Sequence, residues 1–340
     1  MPLRPVSNPP NPWLAETREY LDEIPEARLE VYEDHTKSIL SENDSPDVGF
    51  RWSVNPYRGC FHACAYCYAR PTHEYLGLGA GTDFDRKITV KPEAPRLLRA
   101  AFDRRSWQGE LVVFSGVTDC YQPLEAAYRL TRGCLEVCLA YRNPAAVITK
   151  SPLVERDLDL LVELDRTTGA SVAVSVPLWD EAKARALEPN VAPPKRRLRT
   201  VATLAAAGLD VTVMIAPLIP GLGDEDVVSI LEAAKDAGAR HAAMVFLRLP
   251  GSVKEVFAER LREALPLRAD RVLNAVRDAR GGRLYDPRFG ARQRGQGPQA
   301  EAAVRLFEST ARRLGLLGDP RPPRPSAFRR PGEARQLRLL

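Results

Sequence analysis

Six short runs of β-branched and apolar residues alternate with longer stretches whose apolar positions recur every three or four residues, and this restricts the fold more than any other feature. The runs are 50–54, 111–115, 145–149, 171–176, 210–216 and 242–249, and the helical spacing occupies 94–102, 126–141, 156–166, 195–207, 224–237 and 253–265. Strand then helix, repeated, predicts parallel strands joined by crossover helices, because parallel neighbours need a long return connection. The expected class is α/β: a partial (β/α)6 TIM-like barrel or curved parallel sheet, with its chemistry at the carboxyl ends of the strands. Gly208 and Gly238 each close a helix before a strand, and Asp224 is placed to cap the helix that begins near Val227.

This pattern assigns 46–280 to the barrel core. Residues 1–45 read as an N-terminal arm, with prolines around Asn8–Pro12 and an amphipathic stretch over 20–32 but no regular core periodicity. Residues 281–340 read as a basic C-terminal extension: a Gly- and Arg-rich segment, one helix over 301–314, and a flexible Pro/Arg tail around Asp319–Pro325. Residues 1–48 hold 11 acidic against 4 basic residues, and 277–340 hold 15 Arg against 6 acidic residues. Such a basic end suits nucleic acid, or acidic neighbours in its own chain. Of 49 basic residues 41 are Arg, so a general Arg bias generates basic clusters without any need for phosphate binding.

No apolar run approaches the roughly 18–20 residues of a membrane span, and Met1–Arg4 starts no secretory signal, so a cytoplasmic protein with no membrane attachment is expected. Six cysteines in that compartment point to metal or catalysis rather than to disulfides. Three of them, Cys60, Cys64 and Cys67, have C-x3-C-x2-C spacing just after the first expected strand, beside Gly59. Three thiolates from one loop are one ligand short of a closed tetrahedral site. A zinc completed by His62, His73 or a distant cysteine is one reading, and would give a zinc-stapled, non-enzymatic protein whose basic end binds nucleic acid. The other is an iron–sulfur cube with one iron left free to bind a small molecule.

The cysteine spacing, with Tyr66 before the last cysteine, resembles the radical S-adenosylmethionine superfamily. Asn55–Cys60, Ala69–Tyr75, Thr118–Glu125, Thr149–Ser151 and Pro217–Gly221 resemble its branch related to spore photoproduct lyase, often labelled DNA repair photolyase-like. The resemblance implies a 4Fe–4S cluster and S-adenosylmethionine as cofactors. It also implies a 5'-deoxyadenosyl radical that abstracts hydrogen from a substrate in lyase-like or oxidoreductase-like chemistry, and a one-electron reductant such as flavodoxin or ferredoxin. Carried onto this sequence, Cys60, Cys64 and Cys67 would ligate the cluster and Tyr66 would lie near the adenine. Ser115–Asp119 stands where the superfamily often has Gly-Gly-Glu, leaving Thr118 or Asp119 to meet the amino group. Lys150 would meet the methionine carboxylate, and Ser175 and Ala216 would line the cofactor.

Gln122 and Glu125 follow on the same loop, placed either to face substrate, to orient Arg70, or to cap the helix near Leu124. His73 and Glu74 either shield the cluster, bind substrate, or lie on a solvated loop. Cys134 and Cys138 share one helical face, as a buried pair or as part of an auxiliary site with Cys120. Cys120 follows Thr118-Asp119, whereas the hydrogen-donating cysteine of spore photoproduct lyase precedes its Ser-Asp, so that donor does not carry over. Nucleic acid, with Arg288, Arg292 and Arg294 as its contacts, protein and metabolites all remain open as substrates.

Overall fold

The computed structural model describes residues 11–13, 28–318 and 326–331. Ten strands are present among them: β1 (Glu30–Glu33), β2 (Leu40–Glu42), β3 (Trp52–Val54), β4 (Tyr57–Arg58), β5 (Lys87–Val90), β6 (Val112–Phe114), β7 (Ala145–Thr149), β8 (Ala170–Ser175), β9 (Asp210–Leu218) and β10 (His241–Phe246). Seven form one sheet in the order β10-β9-β8-β7-β6-β3-β2. From β3 to β10 its neighbours are all parallel, and β2 is added antiparallel to β3. All six expected strands are there, with helices between them, in the partial (β/α)6 arrangement.

Burial alternates along β7 and β8, as a two-residue side-chain repeat requires. Val147, Val172 and Val174 are fully buried in one core with Leu135 and Leu161 from the helices, and Val211, Val213, Leu204, Ile230 and Leu231 extend it. Ala146, Ile148 and Ala173 turn to the opposite face and are only half-buried.

Local differences from the expected elements have identifiable causes. The helix expected over 126–141 splits into Glu125–Tyr128 and Leu130–Tyr141, because Arg129 adopts a left-handed φ of 52°. The helix expected over 156–166 opens as a 3-10 turn, Pro152–Asp157, then runs Leu158–Thr167. Asp224 does not cap the helix near Val227: its carboxylate accepts the Gly221 amide at 3.1 Å, and Asp226 stands at the cap position. Helices Glu181–Leu187 and Pro266–Asp278 were not foreseen.

The described part of the arm does contain strands. β1 joins β5 and β4 in a separate three-stranded sheet, and β2 extends the main one. Backbone pairing holds β1, whose four side chains are all exposed, so no apolar periodicity marks it. Most of the amphipathic 20–32 stretch, Asn8–Pro10 and the Asp319–Pro325 tail lie outside the described residues.

At the other end, helix Pro298–Arg313 places Phe307 and Ala311 in the main core, joined by Leu316. The Phe246 amide donates to the Gln293 carbonyl at 3.1 Å and the Ala242 amide to the Leu316 carbonyl at 2.9 Å, so the C-terminal segment covers the outer edge of β10. That segment also reaches the opposite flank. Asp47, in the turn between β2 and β3, accepts the Gly290 amide at 2.7 Å and pairs with Arg292, which also bonds Ser45. This polar clasp links the two flanks of a sheet whose outer strands are not hydrogen-bonded to each other. Among the described residues no helix is long and apolar enough to cross a membrane.

Candidate cofactor site

The loop after β4 carries Cys60, Cys64 and Cys67 and is fixed from several directions. Gly59 (φ 75°) and Ala63 (φ 58°) supply the left-handed backbone that turns it. Thr118 Oγ1 donates to the Gly59 carbonyl at 2.6 Å; Gln122 donates to the same carbonyl at 3.1 Å and accepts the Phe61 amide at 3.0 Å. Asn190 donates to the Phe61 carbonyl at 2.7 Å, and the Ala65 amide bonds the Leu187 carbonyl. Arg70, wholly buried, donates to the carbonyls of Cys64, Ala80 and Gly81 and to Asp85.

A Cβ on Gly59 would lie 2.8 Å from His73 Cε1 and 2.9 Å from the Phe84 carbonyl oxygen. Gly59→Ala is therefore expected to destabilise the fold by about 1–2 kcal/mol from its backbone conformation alone, and by more from the clash. Urea unfolding checks this; a midpoint equal to that of the unaltered protein would show the loop can shift without cost.

The sulfurs are placed as acceptors. The backbone N–H of Asp119 acts on Cys60 and that of Ala69 on Cys67, each favouring the thiolate. Burial pushes the Cys64 thiol up to about 12, with Glu188 adding to the rise and Lys150 and Arg197 opposing it. Burial likewise raises Cys60 and Cys67. Deprotonation is thus unfavourable until a metal takes the sulfur, the usual coupling of ligation to proton release. Among the described residues no three His, Cys, Asp or Glu side chains are drawn together around one ion. Three thiols on one tightly held loop fit a cluster that takes each sulfur on a different iron.

The ends of the following strands converge on this loop. Thr118 holds Gly59, and Asp119 spends both oxygens on protein donors: Tyr121 N (2.9 Å) and Thr149 Oγ1 (2.6 Å) on one, Lys150 N (2.8 Å) and His62 Nδ1 (3.4 Å) on the other. Burial works against its charge, yet His62, Thr149 and the Lys150 amide hold its carboxyl down at about 2. Asp119 so ties β6, β7 and the cysteine loop together. Lys150, just beyond β7, reaches the Ala216 carbonyl at 3.4 Å and lies 5.7 Å from the centre of the Tyr66 ring. The Tyr66 hydroxyl donates to Glu188, Glu188 pairs with Arg197, and Arg197 donates to the Ser175 carbonyl at 2.9 Å. The structure thereby brings Tyr66, Lys150, Ser175 and Ala216 together beside Cys64. Sequence reasoning missed Glu188, Arg197 and Asn190, which no local motif announces.

Other candidates have different work. Neither Gln122 nor Glu125 orients Arg70. Glu125 caps a helix one element later than expected, accepting the Thr131 and Arg132 amides at the start of Leu130–Tyr141 while bonded to Tyr57 and Arg156. His73 and Glu74 are buried rather than solvated: His73 Nε2 lies 2.9 Å from the Lys87 carbonyl with its ring against Phe84, and Ser252 donates to Glu74. Cys120, Cys134 and Cys138 pack in the main core. Arg288 pairs with Asp286 and Arg292 with Asp47, so two of the three extension arginines already hold carboxylates.

Comparison with known proteins agrees with this layout. The Radical SAM superfamily matches residues 54–234, from the end of β3 into the helix Val227–Asp236 that follows β9. An uncharacterized protein of Mycobacterium tuberculosis is 41% identical over 233 residues, 68% of each chain. One from Methanocaldococcus jannaschii is 27% identical over 202 residues, 59% of this chain and 73% of that one. Among solved structures, a spore photoproduct lyase C140A mutant superposes with a TM-score of 0.58 over 84% of this chain and 77% of its own, at 16% identity, a likeness of fold. On the cysteine loop, the six parallel strands and these matches, the chain belongs to the radical SAM superfamily, whose cofactors are a 4Fe–4S cluster and S-adenosylmethionine.

Proposed function

We propose that this chain is a radical S-adenosylmethionine enzyme in which Cys60, Cys64 and Cys67 hold the 4Fe–4S cluster. When bound and reduced by one electron, the cofactor pair supplies a 5'-deoxyadenosyl radical, which removes a hydrogen atom from substrate. The observation that carries this reading is the gathering of Lys150, Tyr66 and the Ala216 carbonyl beside the cysteine loop at the strand ends. Lys150 offers an ammonium to the methionine carboxylate, and Tyr66 and Ala216 border the adenosyl part. Ser175, buried at the end of β8 with its carbonyl held by Arg197, lines the cofactor on this reading. Because four donors occupy Asp119, its part is to hold the cysteine loop and the Lys150 backbone in register, and Thr118 assists through Gly59.

An external one-electron donor of flavodoxin or ferredoxin type completes the scheme. A spore photoproduct lyase structure contains a dinucleoside spore photoproduct. For the present chain, pairing of Arg288 and Arg292 with Asp286 and Asp47 lowers the charge available to a phosphate backbone.

The test is anaerobic reconstitution with iron and sulfide, then dithionite reduction with S-adenosylmethionine. Brown protein that yields 5'-deoxyadenosine is the expected result. Colourless protein binding one equivalent of zinc, with no cleavage, would return the chain to the zinc-stapled alternative.

A further inference from the structure

Beneath the cysteine loop lies a charged group that the reaction as described leaves unused. Arg70 and Asp85 are buried and joined at 2.8 Å, and Arg260, from helix Val253–Ala264, pairs with the other Asp85 oxygen. Arg260 also donates to the Ala63 carbonyl at 2.6 Å, next to the Cys64 carbonyl held by Arg70. Two guanidiniums thus share one carboxylate, and the group carries a net positive charge largely screened from water, with the Arg260 side chain 11% exposed.

Clamping alone does not account for that charge. Arg70 already anchors the loop at the Cys64 carbonyl and ties it to Ala80 and Gly81, and a neutral amide would serve the Ala63 carbonyl as well as Arg260 does. Yet a second, largely buried cation stands there, and its buried Nε has no hydrogen-bond partner among the described residues. A buried charge without a counter-charge is costly. The missing negative charge lies on the adjoining loop: Arg70 acts on Cys67 and Arg260 on Cys64 through space. Three thiolates around an iron–sulfur cube give an anion, and one-electron reduction makes it more so.

We propose that the Arg70–Asp85–Arg260 group is a positioning and charge-setting unit that raises the reduction potential of the cluster; the inference rests on the cofactor reading above. Positive charge in a medium of low dielectric favours the reduced, more negative form, as net charge near a cluster generally does. Arg260 and Asp85 need touch neither S-adenosylmethionine nor substrate to do so.

The experiment is a redox titration of the reconstituted full-length protein, without S-adenosylmethionine, followed by the electron paramagnetic resonance of the reduced cluster. Arg260→Gln is expected to lower the ratio of reduced to oxidised cluster about tenfold at a fixed potential, about 59 mV for one electron. Asp85→Asn is expected to shift it by a similar factor in the opposite direction, and Arg260→Lys to stay near the unaltered protein. Iron and sulfide content shows which variants remain loaded; if Arg260→Gln loses its cluster, Asp85→Asn and Arg260→Lys decide. Shifts in the same direction for Asp85→Asn and Arg260→Gln, as a loosened and wetter loop would give, overturn the proposal. So does no shift for Asp85→Asn. Unaltered protein that takes up no cluster overturns this proposal and the cofactor reading together, whereas a loaded protein with unmoved variants removes this one alone.

Discussion

Cys64→Ala is expected to give a folded protein that retains no iron–sulfur chromophore and forms no 5'-deoxyadenosine above a protein-free control. Cys64 is buried, but the substitution removes only one sulfur atom, and the backbone around it is untouched. Its carbonyl is still held by Arg70, and the Cys67 amide still bonds that carbonyl. The structural cost is that of a small buried group, on the order of 1 kcal/mol. On the proposed cluster assignment the chemical cost is total, because two thiolates do not keep the cube. Cys138→Ala is the matched control: it also removes a fully buried sulfur, but from the helix core, and should retain both chromophore and cleavage. Cleavage by Cys64→Ala at the unaltered rate would remove the cluster assignment.

Arg197→Met is expected to destabilise the fold more than any other single exchange near the site, by about 3–5 kcal/mol, because it strands Glu188 as a buried carboxylate. Burial works against the Glu188 charge, and Arg197, with Lys150 next, overcomes it, so the Glu188 carboxyl lies below its ordinary value of 4.5. A carboxylate lowered on folding stabilises the protein above its unfolded pKa and loses that contribution as pH falls through the folded one. Removing Arg197 reverses the sign: burial then raises the carboxyl, and the deficit of the variant shrinks as acid protonates Glu188. Urea midpoints near pH 7 and pH 5 test this, the gap to the unaltered protein narrowing at the lower pH. Glu188→Gln combined with Arg197→Met should recover part of the loss, since a neutral amide in that place lacks the charge. A gap that is constant with pH would mean that Glu188 is not the group left unpaired.

The strands were legible because they are short β-branched and apolar runs set between helical patterns; 145–149 coincides with β7. The cysteine loop was legible because ligand spacing is local. What holds that loop was not. Glu188 is 122 positions from Tyr66, and Arg260 is 175 from Asp85, and such pairs leave no periodic trace. Helix Pro266–Asp278 did have a signal: proline at its first position, then Ala269, Val272, Leu273 and Val276 on one face. The helix break at Arg129 had none, since no Gly or Asn marks the left-handed turn that lets Glu125 cap the next helix.

Asp47 and Arg292 lie 245 positions apart, which orders events in time. A ribosome delivers the cysteine loop and all six parallel strands before the residues that cover β10 and reach across to the turn before β3. At about 5–20 residues per second, this leaves an interval on the order of seconds in which the newborn sheet has an open flank. Until Arg292 emerges, Asp47 cannot be met from the far flank, so the sheet is made well before the contact that links its two edges.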